Sequence, residues 1–122
     1  MINSDKKILI IDNDEMTIEI LKFILKREGY KISIAKDGIS ALERIPIIMP
    51  DLVITTITIP LKSGLEIISD IKKNFKSIRV IALSSLGEEE NTVEEAFQLG
   101  VDDFIAKPFN PNELLLRIKR FL

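Results

Sequence analysis

Thr56 is the side chain on which the chemistry of this chain depends, because it lies at the carboxyl end of a predicted buried strand. Leu52, Val53 and Ile54 begin an apolar run, which is typical of a strand buried on both faces of a parallel sheet. Open α/β sheets bind their ligands at the carboxyl ends of such strands. A threonine hydroxyl at this place is a poor nucleophile without a neighbouring base. The chain contains no histidine that could be this base.

Acidic and amide side chains follow a second apolar run, which extends from Lys7 to Ile11. Asp12, Asn13 and Asp14 come directly after it and precede a helical pattern. Aspartate and asparagine side chains accept hydrogen bonds from the first free N–H groups of a helix. We therefore expect Asp14 to cap this helix rather than to point into a site.

Alternating apolar runs and helical patterns predict the elements that position these residues. After Thr56, Pro60 stops the third strand, and Gly64 opens a helix with apolar residues at helical spacing. The other predicted strands are Lys7 to Ile11, Tyr30 to Ala35, Arg79 to Ser84 and Phe104 to Ala106. Five strands that alternate with five helices predict an α/β fold, a doubly wound five-stranded parallel sheet with right-handed crossovers.

Two of the helices carry features that affect their predicted ends. Pro46 is expected to end the second helix, so that Ile47-Ile48-Met49 forms an apolar connection packed on the sheet edge, or alternatively a patch for a partner. In the fourth helix we expect Glu88, Glu89 and Glu90 at the amino end. There we also expect Val93, Ala96 and Phe97 to be buried.

Length and composition limit the classes of function. The 122 residues fit a single domain, residues 1–122, long enough to bury a core. The net charge of −2 gives little attraction to a phosphate backbone, so we expect no direct nucleic-acid binding. No apolar run has the length of a signal peptide core or a membrane span, and no cysteine is present. We expect a cytoplasmic protein that does not bind membranes.

The chain resembles the receiver domains of response regulators over essentially its whole length. The stretch PDLVITTITIPLKSG matches the family pattern at Pro50, Asp51, Leu52, Pro60 and Gly64. The resemblance implies a flavodoxin-like fold of the receiver type and a role in two-component, phosphorelay-type signalling. It also implies a cis peptide bond in Lys107-Pro108-Phe109.

The resemblance assigns positions to a pocket, and two of them depart from the family pattern. Thr56 stands where receivers carry the aspartate that accepts the phosphoryl group, and Asn13 stands where they carry a metal-ligand aspartate. The pocket by this correspondence is Asp12, Asn13, Thr56, Ser84 and Lys107. In the family, the counterparts of Ser84 and Phe104 switch conformation together on activation.

By the resemblance, the two substitutions remove both carboxylates that would coordinate Mg²⁺ directly. The one direct ligand that remains is the backbone carbonyl of Thr58. Mg²⁺ is usually held through one or two carboxylates, so we expect its binding to be weak or absent. Asp12 remains, and we expect it to pair with Lys107. Plain structural roles are expected for Thr56, as a strand end, and for Phe104, as core. For Ser84 the switch role and a bond to the neighbouring backbone stay equally open.

The leading hypothesis is a pseudo-receiver, a protein-interaction module of a signalling pathway that is not an enzyme and works without aspartyl phosphorylation. By the resemblance, its surface for a protein partner or a homodimer is the face of helix four, strand five and helix five. Asp102, Asp103 and Arg117 match charged positions on that face.

Two alternatives remain open from the sequence. One is a receiver phosphorylated at an unusual acceptor, Asp12 or Asp14. The other is a phosphatase, because Asp12-Asn13-Asp14 after a strand is similar to the D-x-D motif of haloacid-dehalogenase enzymes. That family needs acidic residues downstream of its lysine, and only Glu113 follows Lys107. We therefore expect no phosphatase activity.

Overall fold

Five strands alternate with five helices along the chain. The computed structural model describes residues 5–85 and 90–122, apart from the side chains of residues 90 and 91. The expected cluster of Glu88, Glu89 and Glu90 therefore lies outside the described side chains. The elements are β1 (Lys7–Ile11), α1 (Glu15–Arg27), β2 (Lys31–Ala35), α2 (Gly38–Ile48), β3 (Leu52–Thr56), α3 (Gly64–Asn74), β4 (Arg79–Ser84), α4 (Glu90–Gln98), β5 (Asp103–Ala106) and α5 (Pro111–Lys119).

The five strands form one parallel sheet in the order β2-β1-β3-β4-β5. In its register, Ile10 of β1 lies beside Ile54 of β3, and Ile54 lies beside Ile81 of β4. The strand order reverses direction at β1, so β1 and β3 are the neighbours at the switch point where α/β sheets bind ligands. The predicted fold class is confirmed, and four of the strands agree with the predicted runs to within one residue at each end, whereas β3 ends at Thr56, before Pro60 is reached.

Two apolar layers cover the sheet, because successive residues of a strand point to opposite faces. On one face, Ile8, Ile10 and Ile54 pack against α1 and α5. On the other face, Leu9, Ile11 and Val53 pack against α2, α3 and α4. These six strand side chains are all 0% exposed, so the carboxyl edge of the sheet rests on a closely packed core.

Side chains placed at the helix ends explain where the helices begin. Asp14 caps α1, Asp37 caps α2 and Asn110 caps α5, each by accepting a backbone N–H of the first turn. Ser63 and Glu66 form a reciprocal capping box at the start of α3. The expectation that Asp14 acts as a helix cap is confirmed.

The prediction that Pro46 ends the second helix is wrong. Helix α2 continues through Pro46 to Ile48, and the N–H of Met49 still donates to the carbonyl of Ile45 at 2.7 Å. A proline in the last turn removes only one N–H donor of the helix. The helix ends instead at Met49, whose backbone is left-handed with φ of 47°. Ile48 packs against the core as expected, whereas Ile47 is 82% exposed.

The prediction that Phe97 is buried is also wrong, because this side chain is 50% exposed. Ala96 occupies the position of α4 that faces the sheet, and Val93 is half-buried. The ring of Phe97 lies on the outer side of the helix and contacts the ring of Phe104, with 6.3 Å between ring centroids.

Among residues 5–85 and 90–122, none of the helices has both the length and the apolar content required to cross a membrane.

Candidate functional site

The predicted pocket residues lie at the carboxyl edge of the sheet. Asp12 follows β1, while Thr56 and Ser84 end the neighbouring strands β3 and β4. Lys107 follows β5, and its backbone N–H donates to the carbonyl of Ser84 at 2.7 Å. This bond places the start of the loop after β5 beside the end of β4. The parallel topology therefore brings the strand ends together as the sequence predicted.

Asp12 is buried, and both of its carboxylate oxygens accept hydrogen bonds within the chain. Its side chain is 2% exposed. Oδ1 accepts the backbone N–H of Asp14 at 3.0 Å, and Oδ2 lies 3.0 Å from Nζ of Lys107. The N–H of Asp12 itself donates to the carbonyl of Ala35 at 3.1 Å. The expected pairing of Asp12 with Lys107 is present.

Lys107 reaches Asp12 from a fixed backbone. The peptide bond between Lys107 and Pro108 is cis, as expected, and the Lys107 side chain is mostly shielded from solvent. A buried ion pair of this kind is strongly coupled, because removing either partner leaves an uncompensated charge in a poorly solvated place. The positive charge of Lys107 is thus directed at Asp12.

Thr56 is 3% exposed, and its backbone is held from two sides. The hydroxyl of Thr55 donates to the carbonyl of Thr56 at 2.9 Å. Gly64 packs so closely that a Cβ atom at this position would lie 2.4 Å from the same carbonyl oxygen. The N–H of Gly64 donates to the carbonyl of Ile57 at 2.8 Å. The glycine of the family pattern therefore fixes the first turn of α3 against the strand end that carries Thr56.

Asn13 and Asp14 do not join Asp12 in a common carboxylate site. Asp14 accepts the Thr17 hydroxyl at 2.5 Å and the Thr17 N–H at 3.3 Å. The hydroxyl of Thr17 is the main cause that holds the pKa of Asp14 below its usual value. Asn13 is exposed and carries a neutral amide. Asp14 therefore acts as the N-cap of α1.

Ser84 and Phe104, the counterparts of the family's switch residues, occupy different environments. Ser84 is buried, and its hydroxyl donates to the carbonyl of Ser85 at 3.2 Å. Phe104 is half-buried and contacts both the core and Phe97. The position of Phe104 agrees with a core-filling role, and the bond of Ser84 agrees with a local backbone role.

The donor set of the pocket does not fit Mg²⁺. This ion prefers oxygen ligands in octahedral geometry, with carboxylates among them. The one carboxylate that the pocket retains, Asp12, already faces the ammonium of Lys107. Asn13 and Thr56 offer only neutral oxygens, and the described part of the chain contains no group of three Asp, Glu, His or Cys side chains that could hold a metal.

Asp102, Asp103 and Arg117, the predicted interface residues, all have partners within the chain. Asp103 forms a two-oxygen contact with Nη1 of Arg117, both distances being 2.9 Å. This contact raises the pKa of Arg117. Asp102 lies 2.7 Å from Nζ of Lys72 and 3.2 Å from Nη1 of Arg79.

Sequence reasoning missed two features, one at the amino edge of the sheet and one next to the site. The partners of Asp102, on α3 and β4, are distant in sequence and gave no local signal. A cleft of about 420 Å³ lies next to Lys107, with Met16, Ile20 and Phe109 among its walls. The spacing of Met16, Ile20 and Phe23 on the outer side of α1 was a readable signal for an apolar surface there.

Comparisons with known proteins agree with the fold. The family described as the response regulator receiver domain matches residues 8–119. The alkaline phosphatase synthesis transcriptional regulatory protein PhoP of Bacillus subtilis is 32% identical over 118 residues, which cover 97% of this chain and 49% of PhoP. The chain thus spans about half the length of this curated relative.

Solved structures give the same assignment. The receiver domain of NtrX from Brucella abortus is 33% identical, with a TM-score of 0.87 over 94% of this chain and 97% of that domain. A CheY-like response regulator receiver domain protein from Methanospirillum hungatei JF-1 is 32% identical, with a TM-score of 0.87 over 94% of this chain and 91% of that protein. The chain therefore belongs to the response regulator receiver family and is a receiver domain of two-component signalling.

Proposed function

We propose that this receiver domain works without aspartyl phosphorylation, as a pseudo-receiver that binds signalling proteins. The observation that carries the proposal is Thr56 at the acceptor position of the family, at the end of β3 and almost fully buried. The second departure from the family pattern, Asn13, affects the binding of Mg²⁺ rather than the nucleophile. Both changes act on the same reaction, so either one alone would already weaken it.

The nucleophile is the first requirement that the pocket fails to meet. A carboxylate attacks phosphorus as an anion, whereas a threonine hydroxyl must lose a proton to a base. The chain has no histidine. Asp12, at the end of the adjacent strand β1, is neutralised by Lys107 at 3.0 Å. Among the residues that the structure describes, neither of these groups can therefore activate the hydroxyl of Thr56.

The remaining carboxylates are weaker candidates for the acceptor. Phosphorylation of Asp12 would require its contact with Lys107 to open in a buried place, which leaves both charges uncompensated. Phosphorylation of Asp14 would compete with its two bonds to Thr17 at the start of α1. A phosphatase with Asp12 as nucleophile faces the same obstacle, since that oxygen is held by Lys107. We therefore rank both alternatives below the pseudo-receiver.

The α4–β5–α5 face supports a role in protein binding. Phe97 is half-exposed and Leu116 is largely exposed, so large apolar side chains of both helices reach solvent. The ion pair of Asp103 and Arg117 is complete within the chain. We propose that a protein partner, or a second copy, contacts this face mainly through Phe97 and Leu116, with the charged pair at its side. We further propose that the domain works in the cytoplasm, as receivers of two-component pathways do.

A titration with Mg²⁺ and beryllofluoride, a mimic of the phosphoryl group, tests the proposed function. We expect the backbone amide resonances of Thr56, Ser84 and Lys107 to stay in place when both reagents are added. A matched positive control is the double variant Asn13→Asp with Thr56→Asp, whose resonances should move. Saturable shifts in the unaltered chain would contradict the proposal, and variants at Asp12 and Asp14 would then identify the acceptor.

A further inference from the structure

The outer side of α1 carries a row of large apolar side chains that the receiver pocket does not use. Met16, Ile20 and Phe23 are 73%, 41% and 65% exposed, although the opposite side of the same helix is fully packed in the core. Their spacing of four and then three residues keeps them on one side of the helix. This is the spacing with which two helices form a coiled-coil seam.

A charged row runs beside the apolar row, and its charges change sign along the helix. Glu19 and Lys26 are seven residues apart and therefore stand on the same flank of α1, one residue before Ile20 and Arg27 respectively. Glu19 has only a loose contact with Lys22, at 3.6 Å in an exposed place. The acidic charge lies near the start of the helix and the basic charge near its end. This order makes the flank complementary to its own reversed copy.

We propose that α1 is a self-association surface, in which the helix packs antiparallel against α1 of a second copy of this chain. In this arrangement Ile20 of one copy packs against Phe23 of the other, and the two-fold axis repeats the contact. The same axis places Glu19 opposite Lys26 twice. A symmetric interface of this kind requires a surface patch that complements itself, and the sign change between Glu19 and Lys26 meets that requirement.

The surroundings of Phe23 leave room for the second helix. An open groove of about 430 Å³ runs between Ile20, Phe23 and Pro111, next to the row. The guanidinium of Arg27, which also lines this groove, lies 5.3 Å from the ring centroid of Phe23. An aromatic ring from the second copy can enter this groove beside Ile20.

The contact is short, so the dimer should be weak. Only two turns of α1 take part, and small interfaces belong to weak or transient complexes. We expect a reversible equilibrium between monomer and dimer, which does not depend on the chemistry at Thr56. It is also separate from the α4–β5–α5 face, because neither Phe97 nor Leu116 lies on α1.

Sedimentation velocity over a concentration series up to about 1 mM, where even a millimolar dissociation constant is measurable, tests the surface. We expect the unaltered chain to dimerise and the variant Phe23→Glu to remain monomeric. The matched control is Ile39→Glu, which introduces the same charge at an exposed apolar residue on α2 and should leave the dimer intact, while Phe97→Glu reports separately on the α4–β5–α5 face. A monomer at all concentrations, or a dimer that only Phe97→Glu abolishes, would overturn the proposal.

Charge exchange between Glu19 and Lys26 tests the antiparallel arrangement itself. The variants Glu19→Lys and Lys26→Glu should each weaken self-association by at least about tenfold, because like charges then face each other twice. The double variant should recover it. An equimolar mixture of the two single variants should form mixed dimers, since both facing pairs are again opposite in charge. A mixture that associates no better than the single variants would refute the antiparallel arrangement, whatever the outcome of phosphorylation experiments.

Discussion

The ammonium of Lys107 lies 3.0 Å from the carboxylate of Asp12, and this ion pair closes the carboxyl edge of the sheet beside Thr56. Asp12 is almost completely buried, while Lys107 comes from the loop after β5. The contact joins residues at opposite ends of the chain. The lysine therefore neutralises the one carboxylate that the pocket retains.

Replacement of Lys107 by methionine should destabilise the fold by about 3 kcal/mol, because it leaves the buried charge of Asp12 without a partner. Equilibrium unfolding in urea at pH 7 measures this loss. The matched control is Lys36→Met, because the pair of Lys36 with Glu15, at 2.5 Å, is mostly exposed. Exposed pairs contribute about 0 to 1 kcal/mol. Equal losses in the two variants would show that the Asp12 pair is not shielded from water.

Replacement of Gly64 by alanine should destabilise the fold by about 2 to 3 kcal/mol. The added methyl group would lie 2.4 Å from the Thr56 carbonyl oxygen and 2.7 Å from the Cα of Ile57, both of them backbone atoms. Backbone atoms of a central strand cannot move aside cheaply, so the overpacking remains as strain. Urea unfolding measures the change. Lys73→Ala, on the exposed side of the same helix, is the control and should change stability by less than about 0.5 kcal/mol.

The contribution of Asp102 to the free energy of unfolding should depend on pH. Burial alone would raise the pKa of Asp102, but its bonds to Lys72, Val80 N–H and Arg79 outweigh burial and lower the pKa from 3.8. The folded chain therefore binds fewer protons at this carboxylate than the unfolded chain does. The stabilisation is complete above the unfolded pKa and is lost as the pH falls through the lower, folded pKa.

The variant Asp102→Asn tests this relation. It should cost about 1 to 2 kcal/mol at pH 7, since a charged acceptor is replaced by a neutral one. The difference from the unaltered chain should shrink at about pH 3, where the carboxylate of the unfolded chain is protonated. Urea unfolding at both pH values measures it. A difference that stays constant between the two would mean that the charge of Asp102 does not stabilise the fold.

The fold could be predicted from the sequence because its signals are local. Apolar runs such as Lys7 to Ile11 mark buried strands, and Asp14 or Asn110 marks a helix start. The wrong predictions concern a helix end and the burial of a side chain, which tertiary packing determines. Proline usually ends a helix, but Pro46 lies in the last turn of α2, where its missing N–H removes only one hydrogen bond. Phe97 was expected in the core, but Ala96 fills the inward position of α4.

The pocket residues were assigned through the resemblance to receivers, and topology explains why they meet, since strand ends of a parallel sheet lie at one edge. The pairing of Asp12 with Lys107 follows from that edge and from the loss of the neighbouring carboxylates. The partners of Asp102 could not be predicted, because Lys72 and Arg79 belong to other elements and carry no periodic signal. The sequence contains the order of Glu19 and Lys26, but this order indicates a self-association surface only together with the exposure of Phe23 in the structure.

Restoring both acidic positions should make stability depend on metal. In the double variant Asn13→Asp with Thr56→Asp, new carboxylates adjoin Asp12, and their repulsion should lower stability in the presence of a chelator. Mg²⁺ at about 100 times its dissociation constant should return about 2.7 kcal/mol. Thermal unfolding with and without Mg²⁺ measures both effects. The unaltered chain is the control and should show no specific response, whereas an equal gain in both proteins would indicate a metal site elsewhere.

The most direct measurement is the intact mass of the chain after incubation with acetyl phosphate and Mg²⁺, with the double variant of Asn13 and Thr56 treated in parallel. We expect the unaltered chain to keep its mass while the double variant gains one phosphoryl group. A phosphoryl adduct on the unaltered chain, whether at Asp12, Asp14 or Thr56, would contradict the proposal that this receiver signals without phosphorylation.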